Sequence, residues 1–258
     1  MLVDFFIVGT QKGGTSALDY YLRSCPNVQM ASVKELHFFD DEELDWSNPD
    51  YSRLHQSFTW GNSDNTIRGE ATPIYTYWPN ALHRLRHYNP YAKLIMGLRH
   101  PSFRARSHWR MEVKRGADTL TFTDAIRSQG RRRVAEERNR AHRIFSYVER
   151  SFYASQIGEM LSLFPRDHLF FFRTDLLWKT PNVVLDEISD FLGIASINQP
   201  KKQYVVPLLT WEPTGMSIED RQYLDQLFFD EIKQTAKLSG LDLCDWLDPD
   251  YDEPMKPD

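Results

Sequence analysis

The chain has 258 residues, 41% of them hydrophobic and 26% charged, a balance that supports a folded core and excludes a disordered or fibrous protein. Its net charge of −5 excludes a surface basic throughout, as a general nucleic-acid binder needs, so any anion binding must be local. Two cysteines, Cys25 and Cys244, give neither a disulfide framework nor a metal-ligand spacing, and no apolar run approaches the roughly 20 residues that span a bilayer.

In chain order, residues 3–8 read as a buried strand, 15–23 as a helix, 67–70 as a strand and 79–88 as a helix opened by Pro79. A strand at 94–98, helices at 102–115 and 149–164, a strand at 169–172, a helix at 182–192 stopped by Gly193 and a long helix at 217–238 follow. Apolar runs of strand length and amphipathic stretches select these segments, with proline and glycine as start and stop signals. Their alternation predicts a single α/β domain over residues 1–258, with a mainly parallel central sheet flanked by helices. Residues from about 247 to 258 read as a flexible acidic tail. The start, Met-Leu-Val-Asp, runs into a strand without a basic leader or a cleavage site, which predicts a cytoplasmic protein.

Arg127, Arg131, Arg132, Arg133, Arg138, Arg140, Arg143 and Arg150 crowd one region with only Glu136, Glu137 and Glu149 to offset them. Two readings stay open for it: a salt-bridged helix face, or a lid facing an anionic ligand. His83 and His87 stand four apart, but the residues between them, Arg84-Leu85-Arg86, lack the metalloprotease glutamate, so they read as surface residues and no metal is expected.

The first strand runs into Gly9-Thr10-Gln11-Lys12-Gly13-Gly14-Thr15-Ser16 and then a helix. Glycines let the backbone approach a phosphate, and free N–H groups with the positive end of the helix dipole face the anion. This P-loop-like turn predicts nucleotide binding. A nucleotide triphosphatase places lysine directly after the last loop glycine, whereas here Thr15 follows Gly14 and the lysine stands at Lys12. The strand at 94–98 ends in Arg99, where such an enzyme holds a metal-binding aspartate. These differences disfavour a small-molecule kinase and fit a metal-free nucleotide with phosphates at two separate places.

Together these segments resemble the sulfotransferases that use 3′-phosphoadenosine 5′-phosphosulfate (PAPS), in particular the heparan sulfate N- and 3-O-sulfotransferase group. The loop through Ser16 is similar to that family's 5′-phosphosulfate loop, and Lys34-Glu35-Leu36-His37-Phe38-Phe39-Asp40 to the stretch that supplies its catalytic carboxylate. Arg99 and Ser107, eight residues apart, match the pair that binds the 3′-phosphate. Tyr153-Ala154-Ser155-Gln156, Phe164-Pro165-Arg166-Asp167 and Phe191-Leu192-Gly193 also have family counterparts. The chain departs from the family at Gly69-Glu70-Ala71-Thr72-Pro73, where a lysine often stands at the position of Ala71. The membrane anchor, disulfide and basic Lys-Gly-Arg loop of the animal enzymes are not found, with Lys201 and Lys202 as weak substitutes for the last. These departures point away from a Golgi polysaccharide enzyme and leave the acceptor open.

The resemblance implies PAPS as sulfuryl donor, adenosine 3′,5′-bisphosphate as product, no metal, and a small-molecule or saccharide acceptor. Gln11, Lys12, Gly13, Gly14, Thr15, Ser16, Arg99 and Ser107 are the expected donor ligands. Lys12, a compact charge, is expected to stabilise the leaving group, Glu35 to act as general base, and His37 to orient Glu35 or touch the acceptor. Asp40, Glu70, Thr72 and Pro73 are expected to line the acceptor site. A protein that keeps the nucleotide fold without catalysis is the alternative from a different class.

Overall fold

The structure, a computed structural model, describes residues 1–61, 66–137, 142–197 and 216–254. Arg138, Arg140, Lys201 and Lys202 lie outside the described residues. Five strands, β1 (Phe5–Gly9), β2 (Val28–Met30), β3 (Ile67–Ala71), β4 (Lys93–Leu98) and β5 (Leu169–Arg173), make one parallel sheet in the order β2-β3-β1-β4-β5. The helices are α1 (Thr15–Arg23), α2 (Ser52–His55), α3 (Ala81–Tyr88), α4 (Pro101–Lys114), α5 (Phe122–Ile126), α6 (Ser128–Ala135), α7 (Tyr153–Leu163), α8 (Thr174–Lys179), α9 (Pro181–Leu192) and α10 (Ile218–Ser239). The expected α/β architecture, a parallel sheet flanked by helices, is what the sequence forms.

The chain folds as two compact units, one from Met1–Leu98 and the segment that begins at Glu159, the other from Arg99–Gly158 and the segment that carries α10. The whole sheet belongs to the first. Successive residues of a strand face opposite sides, and β1 buries both. Phe5 and Ile7 join Leu18 and Leu22 of α1, Leu177 of α8, and Leu185 and Ile188 of α9 in one core. Phe6 points the other way, its ring edge-on to Phe39 at 5.7 Å and to Tyr88 at 6.4 Å. Burial on both sides is why β1 reads as a continuous apolar run rather than an alternating one.

β1 lies in the middle of the sheet, with β3 and β2 on one side and β4 and β5 on the other. The connection out of β1 runs toward β2 and the one out of β4 toward β5, so these neighbouring strands send the chain to opposite edges of the sheet, and in open parallel sheets the crevice at the carboxyl end of such a switch point is where ligands bind. The Gly9–Ser16 loop leaves β1 at that end.

Several boundaries differ from the sequence reading. β2, three residues at a sheet edge, is too short to show a period. The helix expected from Pro79 starts at Ala81, because Asn80 takes a left-handed conformation, φ 65°, and breaks the turn there. The helix expected over 149–164 is a 3-10 turn, Glu149–Ser151, followed by α7. Among the described residues no helix is long and apolar enough to cross a membrane.

Candidate active site

A backbone hydrogen bond ties the loop after β1 to β4. Thr10 N–H donates to the Gly97 carbonyl at 3.1 Å, and Gly13 N–H donates back to the Thr10 carbonyl at 2.8 Å. A Cβ on Gly13 would stand 2.5 Å from the Gly97 oxygen, and one on Gly97 would stand 2.5 Å from the Gly13 oxygen. Neither position tolerates a side chain without movement of the backbone. Gly14, at φ 82°, makes the left-handed turn into α1, whose first turn carries no acidic residue.

Lys12 at the tip is itself left-handed, φ 71°. Thr15 is buried, while Gln11, Lys12, Gly14 and Ser16 are half-buried. The Thr10 hydroxyl oxygen is buried and makes no hydrogen bond among the described residues, and the same holds for Thr174, whose methyl would lie 3.2 Å from a Cβ on Gly14. A buried hydroxyl without a partner is costly. Two of them at a loop whose Gly13 admits no Cβ suit a polar ligand that supplies oxygen atoms, as a phosphosulfate does.

The second cluster is built on the turn after β2. Glu35 and His37 are both left-handed, φ 64° and 51°, and four successive amides from Glu35 to Phe38 are all tied to the segment that ends β3 and follows it. Glu35 N–H donates to the Ala71 carbonyl at 3.0 Å, Leu36 N–H to Glu70 Oε1 at 3.2 Å, His37 N–H to Thr72 Oγ1 at 3.4 Å and Phe38 N–H to the Tyr75 hydroxyl at 3.1 Å. His37 Nδ1 lies 2.9 Å from Asp40 Oδ2, and its Nε2 lies 3.8 Å from Glu35 Oε2. Lys34 Nζ donates to Glu35 Oε1 at 2.5 Å.

Exposure separates the roles open to these groups. The His37 side chain is 46% exposed and that of Glu35 39%, so His37 is no core histidine and both can meet a ligand. Asp40, Glu70 and Thr72 are fully buried, and Pro73 is buried. Asp40 reaches the site through His37, and Glu70 and Thr72 reach it through the amides they accept. Burial pushes the Glu70 carboxyl up to about 7, against the lowering effect of the Thr72 hydroxyl and the Leu36 amide.

Arg99 and Ser107 belong to the second unit. The Arg99 guanidinium makes a two-pronged ion pair with Glu253, Nε to Oε1 at 2.7 Å and Nη2 to Oε2 at 2.5 Å. Tyr153 donates its hydroxyl to the Arg99 carbonyl at 2.8 Å. His100 stacks on Tyr251, ring centroids 5.1 Å apart, and Arg221 donates to the Tyr251 carbonyl at 2.8 Å. The segment up to Glu253 is thus fastened to this unit by ring and ion contacts. Ser107 is half-buried on α4.

The arginine-rich segment is consumed largely by internal pairs. Arg127 pairs with Asp220, Arg131 with Glu149 at 2.9 Å, and Arg133 with Asp118 at 2.8 Å. Buried Arg150 donates to the Arg143 carbonyl at 2.7 Å. These contacts favour the salt-bridged reading over a lid. His83 lies 3.7 Å from Glu159 with 62% of its side chain exposed, a surface residue as expected.

Gly97 and Thr174 were not among the residues singled out from the sequence. Gly97 had a signal, a glycine inside an apolar strand, which marks close approach of another backbone. Thr174 had none, since its relation to Gly14 arises only when β5 pairs with β4.

A family model described as "Sulfotransferase domain" matches residues 2–206. The mouse and human proteins named heparan sulfate glucosamine 3-O-sulfotransferase 6 are each 30% identical over 201 residues, which is 77% of this chain and 54% of theirs. The chain therefore spans about half the length of these curated relatives. A solved sulfotransferase from Alicyclobacillus acidocaldarius superposes with a TM-score of 0.76 at 26% identity, covering 95% of this chain and 99% of that one. The sulfotransferase domain of the curacin biosynthetic pathway, at 17% identity and a TM-score of 0.51, shares the fold. With most of its length matched by the family model, the chain belongs to the sulfotransferase family.

Proposed function

We propose that this chain transfers the sulfuryl group of PAPS to a hydroxyl or amine of an acceptor, in line, with Lys12, Glu35 and His37 as the reacting side chains. One observation carries the reading. Among the described residues four non-glycine residues have positive φ, and three of them are Lys12, Glu35 and His37. A left-handed conformation costs an L-residue roughly 1–2 kcal/mol, and such strain persists where the surroundings enforce it, characteristically at active sites.

In the reaction the acceptor oxygen or nitrogen forms a bond to sulfur while the bond from sulfur to the donor's phosphate oxygen breaks. Glu35 takes the acceptor proton, and Lys12 follows the negative charge onto the departing phosphate oxygen. Asp40, at 2.9 Å from Nδ1, fixes the His37 ring, so that Nε2 faces Glu35 and the acceptor side. Gln11 and the amides from Gly13 to Ser16 hold the 5′-phosphosulfate, and Arg99 and Ser107 take the 3′-phosphate. Arg99 must exchange the Glu253 carboxylate for that phosphate, a like-for-like replacement of one two-pronged anion by another.

Because curated relatives are named for heparan sulfate glucosamine, saccharides are the first acceptors to try. The test is incubation with isotope-labelled PAPS and saccharide, lipid, phenol and secondary-metabolite acceptors, read by mass spectrometry, beside thermal denaturation with adenosine 3′,5′-bisphosphate in the absence of magnesium. Stabilisation by the bisphosphate and a product 80 Da heavier, about the mass of one SO₃ group as in-line sulfuryl transfer requires, are expected. Stabilisation by ATP with magnesium but not by the bisphosphate would overturn the reading.

A further inference from the structure

We propose that Glu70, acting with Thr72, is a positioning residue for sulfuryl transfer: its buried carboxylate holds the Glu35–His37 turn in the left-handed conformation that presents both side chains. The inference rests on the reading of Glu35 and His37 given above, and it assigns Glu70 and Thr72 to the back of the turn instead of to the acceptor.

Glu35 and His37 flank Leu36, whose amide donates to Glu70 Oε1 at 3.2 Å. The Thr72 hydroxyl donates to the same oxygen at 2.5 Å, and so turns a lone pair toward the His37 amide at 3.4 Å. A hydroxyl has one proton. With that proton spent on Glu70, Thr72 accepts from its other partners, among them the His37 amide, and the Tyr75 side chain also bonds it. Glu70 therefore fixes two of the four amides directly or at one remove, while the other two go to the Ala71 carbonyl and the Tyr75 hydroxyl.

An anion buried this completely needs a purpose, because burial alone disfavours it. Glu70 Oε2 is buried and makes no hydrogen bond among the described residues, so the carboxylate is not held there by full satisfaction of its oxygens. Titratable neighbours acting on it are Asp40, which opposes its ionisation, and His37, which favours it, while Tyr75 lies close enough to feel its charge. Its carboxyl is pushed up to about 7 by burial. Ionised, it is the stronger acceptor for the Leu36 amide and the Thr72 hydroxyl, so the turn tightens as pH rises through that value.

The experiment compares wild type with Glu70→Gln, Thr72→Val and Thr72→Ser in the intact chain. Amide resonances of residues 35–37 are followed by NMR from pH 5 to 9, and sulfate release from labelled PAPS to water is measured alongside bisphosphate affinity. Wild type should show a titration step near 7 at these amides that Glu70→Gln removes. Sulfate release should fall tenfold or more in Glu70→Gln and Thr72→Val, recover in Thr72→Ser, and leave bisphosphate affinity within twofold. An unchanged amide titration in Glu70→Gln, or sulfate release at the wild-type rate in both Glu70→Gln and Thr72→Val, overturns the proposal. Should Glu70→Gln fail to fold, the Thr72 pair decides. Glu35→Gln separates the two levels: if it also releases sulfate at the wild-type rate, the reading of Glu35 fails, whereas if it alone is inactive, only the role of Glu70 fails.

Discussion

Gly13 and Gly97 face each other across the loop and β4, each occupying the space that the other's Cβ would need, 2.5 Å from a carbonyl oxygen in both directions. Alanine at either position must push the loop off the strand, at a cost of about 1–3 kcal/mol. A displacement of the order of 1 Å at a positioned group costs as much as about 10²-fold in rate. Gly13→Ala and Gly97→Ala should therefore both lower the melting temperature and weaken adenosine 3′,5′-bisphosphate binding, by calorimetry. A Gly97→Ala protein with native stability and affinity would show that the loop does not depend on this contact.

Lys12 offers a test of strain against function. At φ 71° it sits where glycine is at ease, so Lys12→Gly should be more stable than Lys12→Ala by about 1 kcal/mol. Both should lose turnover by about 10²–10³-fold, the effect of removing one preorganised charge stabiliser. Denaturant unfolding and labelled-sulfate transfer check the two halves separately. Equal stability of the two variants would mean that the loop relaxes once the lysine is gone.

How much of this was legible in the sequence depends on whether the signal was local. β1 and its loop were readable because apolar run, glycines and lysine are contiguous, and the spacing of Arg99 and Ser107 is likewise a property of one segment. Asp40 could be named from its block, but whether it touches acceptor or His37 depends on burial, which Phe38 and Phe39 impose by packing their rings against each other and inward. The link between Glu70 and Leu36 spans 34 residues and exists because β2 pairs with β3. β2, three residues long, left no trace in the pattern. The Arg99–Glu253 pair, 154 residues apart, was equally out of reach.

If Arg99 takes the 3′-phosphate as proposed, that pair makes the acidic C-terminal segment a competitor for the donor. Both side chains are largely withdrawn from solvent, 15% and 11% exposed, and a binding-competent arginine must first be released, which lowers apparent affinity by the fraction of chains in which it is free. Glu253→Gln should bind the bisphosphate several-fold more tightly than wild type, and Arg99→Ala about tenfold or more weakly, as expected for loss of a charge-assisted contact. Weaker binding by Glu253→Gln, measured by titration calorimetry, would mark the pair as structural.

Glu70 also sets a pH dependence of stability. Burial raises its carboxyl from the ordinary 4.5 to about 7 in the fold, so between those limits the folded chain holds a proton that the unfolded chain has lost. Stability then falls as pH rises from about 4.5 to 7, by about 3 kcal/mol from this group alone. Urea unfolding at pH 5 and pH 8 should show the decline, and Glu70→Gln should reduce it. The site thus gives up stability at the pH where the turn is held most firmly.

Asp40 is fully buried, and its Oδ2 lies 2.9 Å from His37 Nδ1. A carboxylate there favours the tautomer with the proton on Nδ1, with Nε2 on the side of Glu35, 3.8 Å away. Asp40→Asn preserves shape and can still offer an oxygen to Nδ1, but it removes the charge and lets the amide nitrogen compete for the same place. Loss of such a supporting partner costs about 10–100-fold in activity, and kcat should carry it, since the donor loop is untouched and bisphosphate affinity should hold. If Asp40 instead met the acceptor, the asparagine would raise KM for the acceptor with kcat little changed. Steady-state kinetics on the acceptor identified from the panel tells these apart, and a variant with both constants native would remove Asp40 from the site.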